Sequence, residues 1–78
     1  MTMKRQRIRE YVAILEHAPG NWSAYSPDVP GCVATGKTRA EVERNFQEAL
    51  AFHIEGLKAE GLPIPEPTSE TGHVSVAA

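Results

Sequence analysis

Seventy-eight residues make one small domain, and a chain of this size buries only about 60% of its unfolded surface, so association with further copies is expected to add to its stability. A single cysteine excludes an internal disulfide, no paired Cys/His spacing offers a structural zinc, and no apolar run of about 18 residues is long enough to span a membrane. The basic amino terminus lacks the apolar stretch of an export signal, so a reducing, cytoplasmic setting and no cofactor are expected. The formal net charge of −2 hides an asymmetry: Lys4, Arg5, Arg7 and Arg9 carry half of the positive charge, whereas residues 10–78 hold four basic and ten acidic side chains, a net of −6. Such a body suits a basic protein partner better than a phosphate backbone. Residues 1–7 read as a solvated basic tail and residues 8–78 as the single domain.

In chain order, residues 8–16 (IREYVAILE) carry β-branched and aromatic residues without a helical period and read as a strand. Pro19-Gly20-Asn21 turns the chain and WSAYS, residues 22–26, resumes extended, giving a hairpin. SPDVPGC, residues 26–32, then leads into a short third strand, Cys32 to Thr35, closed by Gly36 and Lys37. Thr38 and Glu41 have capping-box spacing. The helix that follows places Val42, Phe46, Ala49, Leu50, His53 and Leu57 on one stripe at 3.6-residue spacing. Gly61 supplies a left-handed stop and Pro63, Pro65 and Pro67 keep the chain extended beyond it. HVSVA, residues 73–77, alternates with period two and is expected to return as a last strand.

The order β-β-β-α-β is an α+β fold, one antiparallel sheet with one long helix. A single helix covers one sheet face, so an apolar association surface is expected on the other.

Catalytic readings find little support in these residues. Cys32 lacks an oxyanion-hole motif or nucleophile elbow and reads as a packed strand residue. His17, His53 and His73 are scattered over loop, helix and strand without a ligand spacing, and His53 reads as a half-buried residue at a subunit boundary. Two-metal hydrolysis needs converging acids, and the strands offer Glu10 and Glu16, with Asp28 in a loop. Basic residues interleaved with aromatics, the mark of a nucleic-acid stacking surface, are missing around Trp22 and Tyr25. What remains is a binding surface on a rigid, exposed shoulder, where Pro27 and Pro30 hold Asp28 and Val29 outward beside Trp22 and Tyr25, with Glu16 as an electrostatic contact.

The run W-x-A-Y-x-P-D-V-P-G-C-V-A-T-G-x-T, the helical E-x-x-x-N-x-x-E-A-L of Glu41, Asn45, Glu48, Ala49 and Leu50, and the segment G-L-P-I-P-E-P closely resemble the HicB-like antitoxin family over residues 8–77. The resemblance implies a partial, degraded ribonuclease-H-like domain without catalytic carboxylates, hence no enzyme. It implies a protein that neutralises a small HicA-type, mRNA-cleaving toxin by occluding its active site, working as a homodimer or homotetramer. Glu16, Trp22, Tyr25, Asp28, Val29 and His53 would then serve the toxin or a second subunit. Many family members continue into a DNA-binding domain; here the chain stops at Ala78, so no such domain and no promoter binding are expected. The alternatives are a stand-alone oligomeric domain without a toxin, a weak metal-dependent nuclease, or a nucleic-acid binder using the basic tail.

Overall fold

The computed structural model of the chain describes residues 7–78; Lys4, Arg5 and the rest of the basic tail before Arg7 lie outside the described residues. Three strands, β1 (Ile14–Ala18), β2 (Asn21–Ser26) and β3 (Val29–Gly36), form an antiparallel sheet in that order, and one helix, α1 (Arg39–Ala59), follows. β1 and β2 meet through Pro19-Gly20, with Gly20 at φ 75°, the proline-then-left-handed-glycine pair of a type II turn.

Thr38 Oγ1 accepts from the Glu41 backbone N–H at 3.1 Å and opens α1. The Glu41 carboxylate reaches back one residue further than a capping box requires, accepting from the Lys37 N–H at 3.0 Å. At the other end Gly61, at φ 69°, donates to Lys58 O and Leu62 donates to Leu57 O, a Schellman stop.

Val42 and Phe46 are the buried residues of the helical stripe, and with Ala24, Val29 and Cys32 they form the core. Burying each of the two is worth about 1.5–3 kcal/mol. α1 packs chiefly on β3 and less on β2. Gly36 makes this close approach possible, because a Cβ there would lie 2.7 Å from the Val42 nitrogen. Asn45 ties the same two elements together by donating to Thr35 O at 2.9 Å.

Three expectations about boundaries need correction. β1 begins at Ile14 rather than residue 8, because Ile14 already pairs with Tyr25 and β2 turns away just beyond, leaving residues 7–13 no partner strand. β3 begins at Val29 rather than Cys32, because Val29 pairs with Ser26 across an irregularity in which Gly31 sits at φ 85°. Residues 73–77 form no strand: their alternation is intact, but within this chain they lie beside no sheet edge and all are exposed.

Candidate protein-interaction site

Strand alternation divides the sheet into two faces. Leu15, Trp22, Ala24, Cys32 and Ala34 face the helix and are buried or half-buried. On the opposite, open face the pairings Ile14↔Tyr25 and Tyr25↔Val33 make an apolar row across all three strands. The pairings Glu16↔Ser23 and Ser23↔Thr35 make a polar row beside it. Tyr25 is 41% exposed and Val33 68% exposed, so this row is the apolar surface that one helix leaves uncovered. No lysine or arginine occupies a paired position on this face, and Glu16 gives it a negative charge.

Of the six residues singled out from the sequence, the open face therefore gathers Glu16 and Tyr25. Trp22 points to the helix side, half-buried, with its ring stacked on His17 at 4.4 Å and 12°. His53 sits half-buried on α1, lining a hollow with Gly31, Cys32 and Val33 at the outer side of β3, next to an 83% exposed Phe52.

The shoulder reading of Asp28 and Val29 is corrected. Val29 is 1% exposed and belongs to the core, because the irregular step at Pro30-Gly31 lets Val29 and Cys32, three residues apart, turn to the same face. Asp28 is engaged inside the chain. Its carboxylate accepts from the backbone N–H groups of Thr68 (3.1 Å) and Ser69 (2.9 Å) and from both hydroxyls (3.0 Å each). The Ser69 N–H is the main influence holding this carboxyl below its ordinary pKa; desolvation opposes it, and the two hydroxyls and the Thr68 N–H reinforce it.

This four-bond clasp is the feature that sequence reading missed, since its partners are about 40 residues apart and only the adjacent hydroxyls of Thr68-Ser69 hint at it. It is the last of three ties on the carboxy-terminal segment: Tyr11 Oη donates to Pro65 O at 2.6 Å, and Arg7 and Arg9 pair with Glu66 at 3.0 and 3.6 Å. Val33 and Phe52 were also missed as surface residues. The alternation of Val33 with Cys32 and the position of Phe52 off the helical stripe were the available signals.

The chemistry of the remaining groups is plain. Burial pushes the Cys32 thiol pKa up, keeping it protonated and a poor nucleophile. Among the described residues no three His, Cys, Asp or Glu side chains converge as metal ligands, and no helix is long and apolar enough to cross a membrane. What the site offers is shape, an apolar row and negative charge.

The description "HicB_like antitoxin of bacterial toxin-antitoxin system" matches residues 11–76. A UPF0150 protein of Synechocystis sp. is 36% identical over 67 residues, covering 85% of each chain. A UPF0150 protein of Thermoplasma acidophilum is 36% identical over 59 residues, covering 76% of this chain and 86% of its own. Among solved structures, a HicA3 and HicB3 toxin–antitoxin complex contains a chain that matches with a TM-score of 0.66 and 37% identity, over 77% of this chain and 70% of that one.

Proposed function

The chain belongs to the HicB-like antitoxin family of bacterial toxin–antitoxin systems, and from that premise we propose that it binds a HicA-like toxin in the cytoplasm and occludes its active site through the open face of the sheet. The observation that carries this reading is the likeness to a chain of a toxin–antitoxin complex, at 37% identity, joined to an uncovered Ile14–Tyr25–Val33 row on that face. The row is flanked by Glu16 and belongs to a body whose residues 10–78 carry a net charge of −6. A toxin that cleaves RNA presents positive charge to its substrate, and an acidic, apolar-centred surface competes for that site. Tyr25 is the aromatic anchor of the row, and aromatic anchors carry a large part of interface energy. The action is binding rather than catalysis, so neutralisation is stoichiometric.

The test is co-expression with a HicA-like toxin from a neighbouring reading frame. The wild-type chain is expected to restore growth and to co-purify with the toxin. Tyr25→Asp, a substitution at an exposed position, is expected to lose both while the circular dichroism spectrum is unchanged. Rescue that survives Tyr25→Asp and Val33→Asp together contradicts the choice of face.

A further inference from the structure

The carboxy-terminal segment has two halves of opposite character. Up to Ser69 it is tied to the domain by Tyr11, by Arg7 and Arg9 on its Glu66, and by Asp28; from Thr71 onward every residue is exposed, with Val74 at 90% and Val76 at 79%. The radius of gyration is 15.3 Å and the longest dimension 58 Å against 27 and 22 Å, whereas a compact chain of this length has a radius of gyration of about 11.5 Å. The stretch from Thr71 is an arm that its own body does not cover. Its pattern, apolar at 74 and 76 and polar at 73 and 75, suits a strand with one covered and one wet face, which an isolated arm does not provide.

The body carries the complementary vacancy. Among the described residues β1 is an outer strand with its second edge unpaired, and α1 lies over β3 and β2 rather than over β1. Between the segment leading into β1 and the flank of α1 runs a groove of about 430 Å³ with an apolar lining of Tyr11, Ala13, Phe46, Leu50 and Ile54. That is room for several side chains, set against the roughly 30 Å³ share of one liquid water. Arg9 also lines the groove. Its Nε is shielded from solvent and has no acceptor among the described residues, a donor that an incoming strand's carbonyl would satisfy.

We propose that residues 73–77 are the fourth strand of a second copy: the arm adds at the start of the partner's β1 and along the residues leading into it, seating Val74 and Val76 in the groove between Tyr11, Ala13 and α1. The exchange pairs an otherwise open sheet edge and covers apolar surface on both chains, the usual basis of strand-exchanged dimers. The occupant is a second copy because residues 71–78, beyond the clasp at Ser69, are exposed throughout and are covered by nothing on their own body. The open face used in the proposed toxin contact stays free, so the two proposals fail separately.

The test uses two differently tagged full-length chains, one Ala13→Cys and one Val76→Cys, co-expressed and oxidised, with buried Cys32 kept. A disulfide-linked species carrying both tags is expected. Absence of that species, or a double variant that closes its disulfide within a single chain at high dilution, overturns the exchange. Val74→Asp with Val76→Asp, at positions exposed in one chain, is expected to halve the mass in light scattering without changing the far-ultraviolet circular dichroism. An unchanged mass overturns it equally.

Discussion

The contact of α1 with β3 and the clasp on the carboxy-terminal segment are built from opposite materials. The first is apolar and close-packed, with Val42 at 0% and Phe46 at 2% exposure and a glycine at the point of nearest approach. The second is polar and partly wet: one carboxylate gathers four hydrogen bonds from Thr68 and Ser69, and the exposed Arg7 and half-buried Arg9 pair with Glu66. The difference teaches a division of labour. Burial of apolar area makes the domain, and directional bonds aim a segment that burial leaves alone.

Truncation in the core should break the first region outright. Phe46→Ala leaves a cavity beneath the sheet and is expected to cost about 3–5 kcal/mol, read as a lower midpoint in urea denaturation. For a domain this small that is a large share of its total stability. A variant of wild-type midpoint would mean that the helix is not held by this contact.

The clasp should fail locally and with acid. Asp28→Ala removes the acceptor of all four bonds at once. Amide protection at Thr68 and Ser69 is expected to fall while the Phe46 environment is untouched. The sign of the pH effect follows from the lowered pKa of Asp28 in the folded chain. Its contribution is complete above the ordinary carboxylate value near 3.9 and is lost as pH falls through the lower folded value. Signals of residues 68 and 69 should therefore move in acid before those of the core. Simultaneous loss of both would show that the two regions are one cooperative unit.

The same division decides how much was legible in the sequence. The stripe from Val42 to Leu57, the Thr38 cap, the Gly61 stop and the Pro19-Gly20 turn are encoded within a few residues, and each stands where local pattern puts it. Whatever depends on a distant partner was not legible. The start of β1 is set by the length of β2, and the role of Asp28 by two hydroxyl residues far along the chain. Val29 was misplaced because the step at Gly31 interrupts the period-two count on which facing arguments rest. For the candidate site, the face that one helix leaves bare followed from element counting; Tyr25 stood out as an aromatic beside the proline-held turn and Glu16 as a charge, and only the strand register puts both on that face. Val33 shares that face, and its place in the row depends on its pairing with Tyr25.

The central claim is that the open face meets the toxin, and nuclear magnetic resonance titration of the isotope-labelled chain with an inactive HicA-like toxin tests it most directly. Shifts concentrated on Ile14, Glu16, Tyr25 and Val33, saturating at one toxin per chain, are the predicted result. Shifts confined to the exposed outer side of α1, with the Tyr25 signal unmoved at saturation, would contradict it.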